Sequence, residues 1–421
     1  MLEGYGSFGA VFSTPRLRYI KKYKFIIESY KFKHFNLENH LLDEIESKED
    51  KFLNIEVSKI FFETIEYREE VIAYLNIINK YNVNSKYFNH PLNFGTFNDE
   101  LKINEKKYDN FKNIYYQSNN QITFLKGTKI LLSKLDDIII NFKNIFEGVK
   151  YLNENYFLFD DIKYDNILNF DGIYKFSDFS SLIKFRKNSS KIYKESKLPF
   201  IFYHIYNPIY NNIIYLIFTK KTELMNFIEF SIHRLFKKLR EDDDFIKNYN
   251  YTKKLLEKFI KIVEKLYVKN DSINIQIKCI DMNNIECNVE ISLFDIIENI
   301  FFFMENNIHS LKMRFYKKTE YLLYYYILKY DKSIELIKEE IFRKINIYSI
   351  GISLLHILGE KIESKAEAFS SNYDLKLFLE IIILCLLGIF EIDDKFYYNN
   401  IEINDLYKKY SYFLQIENLI I

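Results

Sequence analysis

Three polar side chains stand close together near the middle of the chain, in the run Asp161-Ile162-Lys163-Tyr164-Asp165-Asn166. A further carboxylate comes later, in Ser177-Asp178-Phe179-Ser180. A carboxylate can orient a hydroxyl group and accept its proton. A lysine can neutralise a transferring phosphoryl group, and an amide oxygen with a second carboxylate can hold a divalent metal. The reaction that uses all four groups is phosphoryl transfer. Asp161 and Lys163 are therefore the candidate catalytic residues, and Asn166 and Asp178 the candidate metal ligands. Taken singly, each also reads as an ordinary solvated loop residue, because Asp, Lys and Asn abound in this chain. Only the ordered set is distinctive.

Phosphate needs a cradle, and the N-terminus offers one. Glycine is scarce, 10 in 421 residues, yet Gly4, Gly6 and Gly9 fall within Gly4-Tyr5-Gly6-Ser7-Phe8-Gly9-Ala10-Val11. Without Cβ atoms, backbone N–H groups can close on phosphate oxygens. The same spacing serves dinucleotide-binding folds, where a helix comes directly after the glycines. Here the next residues are Val11-Phe12-Ser13-Thr14-Pro15, which read as a strand broken by proline. A plain glycine-rich hairpin is the other reading. Downstream, Ile55, Val57, Lys59 and Phe61 alternate with Glu56, Ser58 and Ile60, which predicts a strand with Lys59 and Val57 on one face. A helix is expected from Glu66 to Lys80, with Val71, Tyr74, Leu75 and Ile78 at helical spacing. Glu70 is the best-placed partner for Lys59, in competition with Glu66 and Glu69.

The elements that must position these groups are legible in part. Ile138, Phe142, Ile145, Val149 and Leu152 form one apolar stripe over 136–153, so a helix leads into Asp161. The stretch 167–176 reads as a hairpin around Asp171-Gly172. His90-Pro91-Leu92-Asn93-Phe94-Gly95 reads as a turn. Residues 13–50 are polar and charged, as in an insertion. Residues 212–342 look mostly helical, and 344–358 and 373–390 look like two apolar helices. No Gly/Ser- or Pro-rich linker marks a clean domain boundary.

Composition narrows the remaining classes. Net charge is +1, so there is no global field for nucleic acid or an anionic membrane. The most apolar run, Ile381 to Leu387, is too short to span a bilayer, and no transmembrane segment is expected. Met1-Leu2-Glu3-Gly4 has no apolar stretch behind a basic start, so no secretory signal is expected. The cysteines Cys279, Cys287 and Cys385 form no C-x-x-C pair, which argues against a disulfide framework or a zinc site. The expected setting is intracellular and cytoplasmic.

Taken together these motifs resemble the protein kinase superfamily over most of the chain. Asp161-Ile162-Lys163-Tyr164-Asp165-Asn166 is similar to its catalytic loop, Ser177-Asp178-Phe179-Ser180 to its metal-binding motif, and Asn346-Ile347-Tyr348-Ser349-Ile350-Gly351 to its central large-lobe helix. Ser13-Thr14-Pro15-Arg16 and Ile205-Tyr206-Asn207-Pro208 resemble the divergent serine/threonine kinases of large nucleocytoplasmic DNA viruses, which would make the location a host cytoplasm or a virion. The resemblance implies an α+β, bilobal fold. A small β-rich N-lobe would cover 1–127, with an insertion at about 15–50. A large helical C-lobe would cover 128–421, with a long helical insertion at about 212–340. It implies ATP and Mg2+ as cofactors and a protein hydroxyl as acceptor. Gly4, Gly6, Gly9, Val11, Val57, Lys59 and Glu70 would bind the nucleotide, with Val57 over the adenine. The departures are Phe159-Asp160 in place of His-Arg, Ser180 in place of Gly, Asn346 in place of Asp, and no Glu after Pro208. They motivate an alternative, a pseudokinase serving as a nucleotide-binding or scaffold module. Without the arginine, activity is expected not to need activation-loop phosphorylation.

Overall fold

A computed structural model describes residues 2–6, 9–13, 56–61, 64–96, 120–130, 135–184, 243–267, 274–281, 283, 285–301, 308–330, 333–370, 375–393 and 395–416. The chain is mixed α and β with small sheets. It divides into two compact units. One comprises Met1–Thr128, Leu168–Phe170 and Lys175–Ser180; the other comprises Lys129–Ile167, Asp171–Tyr174 and Ser181–Ile421. The expected insertion at about 15–50, the segment Ile205-Tyr206-Asn207-Pro208 and residues 212–242 lie outside the described residues.

The first unit is built on a five-stranded antiparallel sheet. Its strands are β1 (Leu2–Gly6), β2 (Gly9–Ser13), β3 (Glu56–Phe61), β4 (Pro91–Thr96) and β5 (Asn120–Leu125), in the order β1-β2-β3-β5-β4. The period-two alternation of β3 sorts its side chains cleanly. Phe61 is buried on one face, as are Ile122 and Phe124 from β5. Ser58 and Thr123 are buried on the other, their hydroxyls 3.4 Å apart. Helix α1 (Thr64–Leu75) covers the apolar face: Tyr67 meets Phe61 edge-on at 5.5 Å and Tyr74 meets Phe124 at 5.7 Å. Burying aromatics of this size contributes about 2–3 kcal/mol each. The helix continues as a π-helical turn, Asn76–Lys80, and ends at Asn82, whose φ of 49° is left-handed.

The turn expected at 90–95 is instead strand β4. Pro91 and Gly95 misled because both are turn residues. In the sheet order β4 is an edge strand, and proline is tolerated as the first residue of such a strand, where its missing N–H breaks no interior ladder. A register irregularity between Pro91 and Asn93 absorbs the rest.

The hairpin expected around Asp171-Gly172 is present. Strands β8 (Ile167–Phe170) and β9 (Ile173–Phe176) are joined by Asp171 at φ 51° and Gly172 at φ 87°, the pair of positive values that a tight two-residue connection requires. Between β5 and β8 in the chain come two short strands, β6 (Thr128–Lys129) and β7 (Phe157–Leu158), on either side of helix α2 (Leu135–Glu154). All five residues of the α2 stripe are buried. Strand β7 pairs with β10 (Ile183–Lys184).

The rest of the second unit packs α3 (Asp243–Tyr267), α4 (Leu293–Ile300), α5 (Ile308–Lys329), α6 (Ile334–Ser370), α7 (Leu375–Leu386) and α8 (Ile403–Ile416). The Tyr410 ring of α8 stacks on Phe146 at 4.7 Å, and its hydroxyl donates to the Ile139 carbonyl at 2.6 Å, fixing α8 on α2. Three expectations are corrected. First, 212–342 is mostly helical where it is described, as expected, but not throughout. Strands β11 (Asn274–Ile280) and β12 (Glu286–Ser292) interrupt it, with Ile275, Ile277 and Cys279 buried between exposed Gln276 and Lys278. This is a period-two pattern inside a Lys- and Glu-rich stretch. Second, the helix over 344–358 is the middle of the much longer α6. Third, the helix over 373–390 ends at Leu386. Asn399 stops it by donating to the Leu384 and Leu387 carbonyls at 2.8 and 2.6 Å, taking up acceptors that a helix end leaves unpaired. Ile389–Ile392 and Lys395–Asn399 then form β13 and β14, giving a four-stranded sheet in the order β12-β11-β14-β13.

Among the described residues one helical stretch, Glu339–Gly359 of α6, is long and apolar enough to cross a membrane. It is 83% buried inside the protein, so its apolar side chains are already spent on a core.

Candidate functional site

The first unit assembles one cluster of charge. On β3, Lys59 projects from the face that α1 covers. On α1, Tyr67, Val71 and Tyr74 are buried and Glu70 lies on the same stripe, while Glu69 points to solvent. Helical phase thus excludes Glu69; Glu66 and Glu70 share one face a turn apart, and it is Glu70 whose carboxylate meets Lys59. Lys59 Nζ donates to both Glu70 carboxylate oxygens, at 2.8 and 2.9 Å, and to Asp178 Oδ1 at 3.1 Å.

Asp178 is brought there by what surrounds it. The Phe176 N–H donates to the Tyr87 carbonyl and the Asn89 N–H to the Phe176 carbonyl, both at 2.8 Å, so the end of β9 is clamped. Asp178 then takes a left-handed φ of 51°, a conformation that aspartate tolerates better than most residues. Phe179 is wholly buried against Tyr74, Phe88 and His90, with ring centroids 5.0, 5.1 and 5.6 Å away. The aromatic plug fixes the backbone, and the backbone aims the carboxylate.

The charges in this cluster shift one another. Burial alone would lower the Lys59 pKa. The Asp178 and Glu70 carboxylates outweigh it, and the ammonium is held charged above its usual range. For Glu70, burial pushes the pKa up, the Lys59 charge pulls it back and Asp178 adds a push, leaving it at about 7. One cation therefore serves two carboxylates, and Glu70, the more enclosed, carries the strain.

The glycine segment is a hairpin. Gly6 stands opposite Gly9, and Gly4 opposite Val11, in the β1–β2 register. Val11 in turn stands opposite Lys59, and Ser13 opposite Val57. Ser7 and Phe8 lie outside the described residues. Gly9 leads into a strand and not a helix, unlike the dinucleotide-binding arrangement.

The second unit holds the other three candidates. Lys163 Nζ donates to the Asp161 carboxylate at 2.9 and 3.0 Å. Asn166, on the short 3-10 turn Tyr164–Asn166, donates through Nδ2 to the Asp161 carbonyl at 2.9 Å and to Asp161 Oδ2 at 2.8 Å. Both bonds use the amide nitrogen, so the side-chain oxygen is the atom of Asn166 suited to a cation. Asp161 is thus oriented by a cation and an amide while remaining partly exposed. Its neighbour Asp160 is different: Oδ1 is buried with no hydrogen-bond partner among the described residues, and burial, with the adjacent Asp161 charge, pushes its pKa up to about 6.

Asn346 holds the loop before Asp161. Its Oδ1 accepts from the Phe159 N–H at 3.1 Å, while its Nδ2 donates to the Phe157 carbonyl at 2.8 Å and to Asn153 Oδ1 at 2.9 Å. Asn153, near the end of α2, carries no signal in the sequence; only a tertiary contact reveals it. Phe179 and Asp160 likewise gain their roles from burial.

Each unit carries polar groups of its own: the first the Lys59 ammonium with the Glu70 and Asp178 carboxylates, the second the Asp161 carboxylate with the Lys163 ammonium and the Asn166 amide. No group of three or more His, Cys, Asp or Glu capable of holding a metal occurs among the described residues. No protein-family model matches this chain, and no curated protein matches it.

Proposed function

We propose that the chain is a serine/threonine protein kinase that transfers the γ-phosphoryl group of ATP to a protein hydroxyl. The two units are read as the small and large lobes of that fold. The single observation that carries the reading is the bridging of Lys59 by Glu70 and Asp178. A strand lysine, a helix glutamate and a carboxylate in an Asp-Phe motif, distant in sequence, are gathered around one cation, which is the arrangement a phosphate-positioning site uses.

The roles follow from chemistry. Lys59, kept charged, positions phosphates, and Glu70 keeps Lys59 on its strand face. Asp161 accepts the acceptor hydroxyl's proton and orients it, with Lys163 beside it to offset charge on the transferring group. Asn166 and Asp178 would ligate magnesium, which when bound neutralises charge developing on the phosphate oxygens. Gly4, Gly6 and Gly9 leave backbone N–H groups free of Cβ obstruction over the phosphates, beside Val11 and Val57.

The test is phosphate transfer from γ-labelled ATP by the full chain, with Asp161→Asn and Lys59→Met alongside. Transfer by the wild type, lost in both variants, is expected. No transfer from the wild type, or equal transfer from Asp161→Asn, overturns the enzyme reading. A second reading, a nucleotide-binding module without turnover, is favoured by the buried Asp160 and by Ser180 two residues after Asp178. Thermal stabilisation by Mg-ATP with no transfer would select it.

A further inference from the structure

Cysteine spacing argues against a disulfide framework or a zinc site, yet the fold sets two of the three cysteines side by side. Cys279 of β11 and Cys287 of β12 are direct partners in the antiparallel register. Their sulfur atoms lie 3.4 Å apart, and the Cys279 thiol also points at the Cys287 carbonyl at 3.6 Å. Directly opposed residues in an antiparallel pair have Cα separations of about 4.5–5.5 Å, inside the range a disulfide spans. No backbone rearrangement is needed to join them.

The two thiols differ in access. Cys279 is buried beneath the sheet, whereas Cys287 is partly exposed on β12, which is the edge strand of its sheet. The pair also sits close to the Asp281–Ile285 turn, where the Asp281 carboxylate accepts from the Asn283 and Ile285 N–H groups at 2.9 and 2.8 Å. That turn fixes the register which opposes the two sulfurs. Cys385, in contrast, is buried in α7 facing Gly351 and has no cysteine beside it among the described residues.

We propose that Cys279 and Cys287 are a reversible oxidation site, closed to a cross-strand disulfide by a peroxide. The accessible Cys287 thiolate attacks one peroxide oxygen; the O–O bond breaks, and Cys287 becomes a sulfenic acid as hydroxide leaves and takes up a proton. The Cys279 sulfur then attacks the Cys287 sulfur, the S–O bond breaks, and a second water leaves with the Cys279 proton. Two thiols are oxidised by two electrons, and one peroxide is reduced to two waters. A small dithiol reverses the change by exchange. Burial of Cys279 holds its thiol protonated, so Cys287 reacts first and Cys279 resolves. The proposal is independent of the phosphoryl-transfer reading.

The experiment treats the folded full chain with a small excess of hydrogen peroxide, then alkylates under denaturing conditions and maps the cysteines by mass spectrometry. The expected result is loss of two alkylatable thiols together, leaving Cys385, with a peptide pair linked through Cys279 and Cys287 and full recovery on adding dithiothreitol. In Cys279→Ala, Cys287 should instead stop at a sulfenic acid that a dimedone probe traps. Cys385→Ala should leave the wild-type behaviour intact. Persistent sulfenic or sulfinic acid on Cys287 in the wild type, with Cys279 still alkylatable, overturns the proposal. So does a linked pair involving Cys385, or no loss of thiols when a free cysteine in the same solution is consumed.

Discussion

Asn346 is a buried amide with three hydrogen-bond partners, and the structure makes the consequence of replacing it with aspartate calculable. Two backbone groups dictate what this position must offer: the Phe159 N–H needs an acceptor, and the Phe157 carbonyl needs a donor. An amide supplies both, and its nitrogen also serves Asn153 Oδ1. Asn346→Asp keeps the acceptor but replaces the donor with a second acceptor, 2.8 Å from the Phe157 oxygen and 2.9 Å from Asn153. Asn346 is wholly buried, so water does not repair the loss. Losing the amide donor to a buried carbonyl costs about 1–3 kcal/mol, and setting a carboxylate charge against that carbonyl adds to this. The expected destabilisation is about 3–5 kcal/mol at pH 8, measured as a fall in the urea midpoint with unchanged slope. The introduced carboxyl prefers its protonated, donating form in the fold, so its folded pKa lies above its unfolded one. The cost is then full above the folded pKa and shrinks as pH falls toward the unfolded value. An Asn346→Asp protein as stable as the wild type at pH 8, or one whose deficit grows on acidification to pH 5 relative to the wild type, would refute the reasoning.

Other outcomes rest on the same geometry. Lys59→Met leaves Glu70 and Asp178 facing each other without a cation, and should lower phosphoryl transfer by at least about a hundredfold in a labelled-ATP assay. Asp160→Asn removes a buried carboxyl whose pKa is raised from 3.8 to about 6. Such a group favours the fold below the unfolded pKa and loses that contribution as pH rises through 6, so the variant should gain about 2–3 kcal/mol at pH 8 and nothing near pH 3, read from urea midpoints. His356 is buried against the Thr252 hydroxyl, 2.7 Å from Nε2, and burial lowers its pKa from 6.5 to about 4. Stability is then present above pH 6.5 and lost, by about 3 kcal/mol, as pH falls through 4; His356→Gln should flatten that limb of the pH–stability curve. Gly351→Ala would set a Cβ 2.6 Å from Cys385 Cβ, an atom that cannot swing away, and should cost about 1–3 kcal/mol despite alanine's better helix propensity, visible as a lower thermal midpoint.

Local signals recovered the local structure. The β3 alternation, the α2 stripe and the Asp171-Gly172 turn were legible because each is set within a few residues by period or by φ. The failures share a cause of the opposite kind. The strand β4 holds Pro91 and Gly95, which only an edge position tolerates, and the sequence does not say which strand is the edge. The helix expected over 373–390 stops at Leu386 because Asn399, further along the chain, takes its last carbonyls. Strands β11 and β12 carry ordinary period-two patterns, but Lys and Glu interspersed with aromatics masked them as helix.

The candidate site divides along the same line. Residue types and order named Lys59, Asp161, Asn166 and Asp178, because chemistry restricts which side chains can handle phosphate and metal. The phase of α1 excludes Glu69, but choosing Glu70 over Glu66 required the contact with Lys59 itself, and the aim of Asp178 required Phe179 in its aromatic pocket. Asn153 and the Cys279–Cys287 pair left no sequence signature, since a cross-strand register or a helix-end contact brings them to their partners. The chemistry of a site is thus written in residue identity, whereas its geometry is written in packing. A position such as Asn346 is explained only by the neighbours it must satisfy. Its amide is matched to one carbonyl, one N–H and one asparagine, and that matching makes an amide, with both a donor and an acceptor, the side chain this position requires.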